Sequence, residues 1–316
     1  MKTLMHRHAS VFALLVALGA APGGLAYGQT PARPAGVPAA QAPQNTAAPT
    51  TRSPEQQRQE AERSAQGQVN QDATAVISET RNALDAIARK DKAAAIAALE
   101  RATGKANILL ARNPLTALIP ESVEVVLHDT APTDRTAITA QTDAVLAAIN
   151  RRDYALARVL LDSLRSEIRI RTSNVPLATY PVALREAARL LEAGQNDDAA
   201  ETLRAALTTV VIIDRAIALP LIRAADAIAA AQDLSGKQKA EALRHLAVAR
   251  TQLEQAQALG YLAADKGASL TAQVAAAEAL LQRNQNASAA FAKLRADLGT
   301  ASDEQSATQR RSRAGG

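Results

Sequence analysis

At 316 residues, 47% of them hydrophobic and none of them cysteine, the chain has material for a large packed core but none for a disulfide framework or a lipid-modified cysteine. Its formal charge of +5 invites a nucleic-acid reading. Lys2 and Arg7, however, lie in the leader described next, and Arg310, Arg311 and Arg313 in the C-terminal tail, so the body is nearly neutral. With only Tyr154, Tyr180, Tyr261 and Phe291 as its aromatics, the body offers no base-stacking platform, and nucleic acid is excluded as a partner.

The first eight residues carry Lys2 and Arg7 with no acid, and the run Val11 to Ala21 (VFALLVALGAA) is apolar apart from Gly19. Gly24, Leu25 and Ala26 then put small residues three and one positions before a cut between Ala26 and Tyr27. This is the pattern of a cleavable secretory signal over residues 1–26. An uncleaved anchor is the alternative, but the apolar run is well short of the roughly 20 residues that span a bilayer. No later stretch is long and uncharged enough to span one, so the expectation is a processed periplasmic protein with no transmembrane segment.

Residues 27–52 are rich in proline and alanine and hold one branched aliphatic side chain, Val37, too little apolar surface to repay ordering. They read as a linker. The ordered body is expected at residues 53–298, because Ser53, Pro54, Glu55 and Gln56 combine a cap residue, a proline at the first helical position and a glutamine three residues on. Apolar residues then recur at helical spacing, as in Val76, Ile77, Thr80, Leu84, Ile87 and in Leu184, Ala187, Ala188, Leu191.

A local unit repeats along the body. Ile87, Asp91, Ala95 and Leu99 match Ile149, Asp153, Ala157 and Leu161, then Leu191, Gln195, Ala199 and Leu203, with a weaker copy at Leu281, Gln285 and Ala289. Each copy reads as a helix end, a tight polar turn, a capping side chain and a second helix whose small alanine lets the pair approach closely. The offsets of 62, 42 and 90 residues fit no regular 34-residue solenoid, so an irregular bundle of antiparallel helix pairs is expected.

Two segments break the helical pattern. Ser122 to Thr130 (SVEVVLHDT) and Glu167 to Asn174 (EIRIRTSN) alternate apolar and polar residues and are expected to pair into a small two-stranded β-ribbon. Beyond Gly299 the chain turns polar and basic, and residues 299–316 are expected to form an unstructured tail. The fold class is therefore mainly α with a small β part.

Chemistry-bearing patterns are scarce. His128 and His245 are the only histidines of the body, too few to build a zinc site. Each reads as a surface or buffered side chain. There is no glycine-rich phosphate loop, nucleophile elbow or H-E-x-x-H helix, and almost all the carboxylates sit one or four residues from arginine or lysine on expected helices, as Glu186 does beside Arg185 and Arg189. The expectation is no enzyme, no cofactor and no metal. Arg165, Arg169 and Arg171 form the densest positive group: a patch for an anion or acidic partner, or charges guarding a strand edge against aggregation.

The stretch from Ala147 to Leu221 resembles the YfdX family of exported bacterial proteins. The likeness rests on the hairpin and strand leading into Val175-Pro176-Leu177, on LLEAGQNDDAAETL and on VVIIDRAIALP; with SVEVVLHDT it covers roughly residues 75–225, leaving 226–298 as a helical extension. The resemblance implies a periplasmic, mainly helical, self-associating protein of stress response with chaperone-like or ligand-sequestering behaviour. Client proteins or small hydrophobic molecules would then be its partners. A scaffolding module docking one protein through its hairpin grooves is the alternative.

Overall fold

The computed structural model describes residues 52–314, with side chains to residue 305. The signal segment, its cut between Ala26 and Tyr27, and the linker up to residue 51 lie outside the described residues.

Helix α1 (Pro54–Gln66) begins on the expected capping box: Gln56 N–H donates to Ser53 Oγ at 3.2 Å, and Ser53 N–H to Gln56 Oε1 at 2.8 Å. Three units of one pattern follow, each a helix hairpin feeding a strand. The first is α2 (Gln71–Ala88), α3 (Lys92–Arg112) and β1 (Leu118–Asp129); the second is α4 (Arg135–Asn150), α5 (Tyr154–Asp162) and β2 (Ser166–Pro176). The third is α6 (Tyr180–Glu192), α7 (Asn196–Thr208) and β3 (Val211–Ala218), after which come α8 (Leu219–Leu234), α9 (Lys239–Ala258), α10 (Ala264–Gln282) and α11 (Ser288–Ala314).

The repeated sequence unit is the turn inside these hairpins, and its backbone explains its spacing. At the first turn Lys90 sits at φ 59°, its N–H bonded to Ile87 O and that of Asp91 to Ala86 O, both at 2.9 Å. This closure satisfies two carbonyls that a helix C-terminus otherwise leaves bare. The same pair of bonds recurs at Arg152 (φ 60°), Gly194 (φ 78°) and Asn284 (φ 56°). It also recurs at Gly260 (φ 77°) between α9 and α10, which the sequence reading did not include. Asp91 and Asp153 then cap the next helix, accepting from Ala94 N–H and Leu156 N–H at 3.0 Å. Four residues on, Ala95, Ala157 and Ala199 are fully buried where the two helices meet.

The β part has three strands, correcting the expected two-stranded ribbon. The order is β1-β2-β3, antiparallel throughout, with Val125 opposite Ile170 and Ile168 opposite Ile217, and a bulge between Pro120 and Ser122. Strand β3 escaped the sequence reading because Val211-Ile212-Ile213 is a continuous aliphatic run followed by Asp214-Arg215, with no alternation to mark it. Since neighbouring strands are antiparallel, the first and third hairpins share one end of the sheet. There α2, α3, α6 and α7 enclose a core of Val76, Ile77, Leu99, Leu109, Leu184 and Leu203. The second hairpin lies at the other end with Leu259, where α8 to α11 enclose a second core around Leu246, Leu253, Leu270 and Phe291.

Helix α11 also corrects the expected unstructured tail from Gly299, for it continues to Ala314. The stripe Phe291, Leu294, Leu298 and Ala301 stays buried past Gly299, and one interior glycine costs only about 1 kcal/mol.

The left-handed turn residues give a direct test. A side chain at such φ costs about 1–2 kcal/mol, and nothing lies within 4 Å of a Cβ added at Gly194, so its cost there is purely conformational. Gly194→Ala should lower unfolding stability by about 1 kcal/mol and Arg152→Gly should raise it by a similar amount. Urea denaturation with unchanged slope checks both; equal midpoints for the two variants would contradict the assignment.

Candidate functional site

Strand β2 carries the arginines singled out from the sequence. It is the central strand, so the edges left to guard are β1 and β3, and Arg169 and Arg171 protect neither. By register, one face of the sheet brings together Glu124, Val126 and His128 of β1, Glu167, Arg169 and Arg171 of β2, and Asp214 and Ala216 of β3. Ile168 and Ile170 point to the opposite face, 0% and 4% exposed. Arg165 lies just ahead of the strand, on Asp162 at 2.9 Å. Arg169 donates to Glu167 at 2.9 Å, and Arg171 donates through Nε to Asp214 at 3.0 Å, with Glu124 at 3.7 Å. All three arginines thus sit on carboxylates.

At the start of β2 this face joins a buried polar network. Ser166 and Glu167 are 0% and 5% exposed. Tyr261, on the turn between α9 and α10, accepts from Ser166 N–H at 3.1 Å and donates to Glu167 Oε2 at 3.3 Å. Burial, then the charge of Glu167, raises the Tyr261 phenol above its ordinary value, which keeps the hydroxyl protonated. Ser166 Oγ donates to Asp129 at 2.9 Å, and Asp129 also accepts from Arg223 of α8. The network fastens the sheet to α8 and to the α9–α10 turn. It orients carboxylates that are each engaged by donors.

His128 stands opposite Glu167 in the ladder; burial, then Arg165 and Arg169, depress its pKa. His245, buried in α9 with no hydrogen-bond partner for Nδ1 among the described residues, is depressed by burial and then by Arg244. Among the described residues no cluster of three metal-ligating side chains occurs. No helix of the described residues is long and apolar enough to cross a membrane.

Two open grooves run between helices at the other end. One, of about 490 Å³, lies between α6 and α7 on a floor of Tyr180, Ala183 and Ala205 with Asp198 and Glu201 at its rim. The other, of about 570 Å³, lies between α3 and α6 over Ile96, Leu99 and Ala188, rimmed by Glu100, Arg185 and Arg189. Sequence periodicity finds the helices but not these grooves, and the second arises only where the first and third hairpins meet. Large aliphatics also remain exposed: Val211, Ile212 and Ile213 at the start of β3 at 37%, 60% and 37%, and Val159 on α5 at 66%.

Residues 76–216 match the model of the family described as YfdX protein. Among solved structures, YfdX from Salmonella Typhi aligns at 12% identity over 48% of this chain and 93% of that one, with a TM-score of 0.34. No curated protein matches.

Tyr261→Phe strips the partner from the Ser166 N–H and from one Glu167 oxygen, both buried. A loss of about 1–3 kcal/mol in unfolding stability is expected by chemical denaturation. A loss below a few tenths would show the network to be idle.

The histidines set a pH dependence. The unfolded chain takes up their protons near pH 6.5, whereas the folded chain resists until its depressed values are reached. Stability is therefore lost as pH falls from about 6.5 through those folded-state values. The carboxylates held low by basic partners, Glu79 by Arg101 and Glu186 by Arg189, lose their contribution only below the ordinary carboxylate range near 4. Melting temperature should drop between pH 7 and pH 5, and His245→Gln should flatten that slope; an unchanged slope would remove His245 from the account.

Proposed function

We propose that this chain, whose residues 76–216 are a YfdX-family segment, is an exported, non-enzymatic stress protein that binds apolar surface, either of unfolding client proteins or of small hydrophobic molecules. The observation that carries this reading is the exposed run Val211-Ile212-Ile213 on edge strand β3. Strand β3 pairs with a strand on one side only and α11 packs against it, so the exposed side chains are what a partner would meet. Branched aliphatics held in water there gain about 25 cal/mol for each Å² that a partner covers. Export to the periplasm is supported by the signal pattern ending at Ala26 and Tyr27. The same exposed surface supports a homo-oligomer.

The α3–α6 groove favours a second reading, a scaffold that docks one partner helix over the apolar floor of Ile96, Leu99 and Ala188. Two substitutions separate the readings. In an assay of client aggregation with the processed chain, run from pH 4 to 7, Ile212→Asp should weaken suppression severalfold while Ala188→Arg leaves it unchanged. If the wild-type chain neither suppresses aggregation nor binds a hydrophobic fluorophore in that range, the binding reading falls. A single crosslinked partner lost in Ala188→Arg would establish the scaffold instead.

A further inference from the structure

The apolar face of the sheet has an unusual cover. Val123, Val125, Leu127, Ile168, Ile170 and Ile217 lie on that face, and Leu219 and Ile222 of α8 border it. Helix α1 packs over this ground on β1 and β2. Yet the inward stripe of α1, one residue per turn, is Gln57, Ala61 and Ala65. A row of large branched aliphatics therefore meets a helix that brings two methyl groups and an amide. The fit is poor as well as thin: Gln57 Oε1 is buried with no hydrogen-bond partner, and Val123, Val125 and Leu127 stay only half-buried beneath the helix.

Polar contacts hold α1 instead. Arg52 lies on Asp226 of α8, donating through Nε at 3.1 Å and through a second nitrogen, and Gln57 Nε2 donates to Asp226 at 3.1 Å. The Arg52 side chain is 45% exposed, so water competes for the pair. A helix of 13 residues has little stability of its own once undocked. On its C-terminal side, α2 is fixed to the sheet by Asn70 N–H on Pro120 O at 2.9 Å and Thr74 Oγ1 on Glu121 O at 2.6 Å, while Gly67 and Gln68 between the helices are exposed. The hinge falls at residues 67–69. Helix α1 also lies outside residues 76–216, which match the family model.

We propose that α1 is a detachable strap and that the face beneath it is the main binding surface of the protein, accepting an amphipathic helix of an unfolding client in place of α1. This rests on the reading of the chain as a binder of apolar surface. The seat itself specifies the occupant: about four helical turns, with Leu, Ile or Val where α1 has Gln57, Ala61 and Ala65. Such a helix fills the space above Val123, Val125 and Leu127 and displaces α1 by mass action. Val211 and Ile213, already exposed, lie on this same face beside Asn174 and Thr172, with Arg215 between them and Ile217, so an arriving client meets them ahead of the covered surface. Arg52 and Asp226 set the threshold for release.

The test uses the full processed chain, the variants Arg52→Ala and Asp226→Ala, hydrogen exchange read by mass spectrometry, and the dye 1-anilinonaphthalene-8-sulfonate. In the wild type, amides of α1 should exchange at least about tenfold faster than those of β2. In Arg52→Ala that rate should rise about a further tenfold and dye fluorescence severalfold, with β2 and α9 as protected as before. A free peptide of residues 52–66 should reverse the dye signal. Loss of protection in α9 would mark global unfolding of Asp226→Ala, and Arg52→Ala, substituted at an exposed position, then decides. Equal exchange of α1 and β2 in both proteins, or release of α1 with no gain in dye binding, overturns the strap. If the wild type suppresses client aggregation and releasing α1 leaves that unchanged, the strap as gate is wrong and the binding reading stands. If the released chain takes up dye but protects no client, the binding reading fails and the strap stands.

Discussion

Everything in this molecule hangs on β2, the one strand hydrogen-bonded on both sides. It pairs with β1 from Ser166 to Pro176 and with β3 from Glu167 to Asn174. Because both neighbours run against it, the chain must cross the sheet three times, and each crossing delivers a helix hairpin to alternate ends. The two helical cores are thus consequences of the sheet rather than independent bodies joined by it. The central position also explains the arginines. On a strand flanked on both sides the Arg169 side chain is only 21% exposed, and a desolvated cation without a partner is costly. Glu167, Asp214 and Glu124 supply the partners from the same face.

A buried tyrosine serves each end of the sheet. At the first core Tyr180 of α6 is fully buried and donates to Thr80 of α2 at 3.2 Å, whose hydroxyl in turn donates to Val76 O at 2.7 Å. At the second, Tyr261 bridges Ser166 N–H and Glu167. The two differ in consequence. Tyr180 closes a neutral chain inside an apolar core, whereas Tyr261 reaches an ionised side chain and, through Ser166 and Asp129, the Arg223 of α8. The second end is therefore held in part by a charge-assisted hydrogen bond.

How much of this was legible in the sequence follows the range of each interaction. The hairpin turns could be read because their determinants are local: a left-handed residue, a capping aspartate and an alanine four positions later, all within one turn of chain. Two strands showed their alternation; β3 did not, since its first residues are aliphatic on both faces. Continuation of α11 past Gly299 was hidden behind a glycine and a polar composition, although Ala301 still seats in the core. The Arg171 ion pair was illegible because Asp214 lies 43 residues away and only the ladder brings them together. The grooves and the seat of α1 were illegible for the same reason.

The distribution of side-chain size completes the argument. The helix interfaces are built largely on alanine: Ala73, Ala83, Ala86, Ala95, Ala98, Ala102 and Ala106 line one core, and Ala224, Ala227, Ala231, Ala242 and Ala249 the other. Alanine permits close approach and costs no side-chain entropy, but each buries little apolar surface. The inward row of the sheet is Val123, Val125, Leu127, Ile168, Ile170 and Ile217, and there the covering helix contributes little. Apolar surface in this fold is thus poorly matched where β1 and β2 meet α1, and exposed where β3 begins. A protein selected only for stability would place its large side chains against one another. On the sheet they face instead a helix whose inward stripe is Gln57, Ala61 and Ala65 and, from Val211 to Ile213, open water.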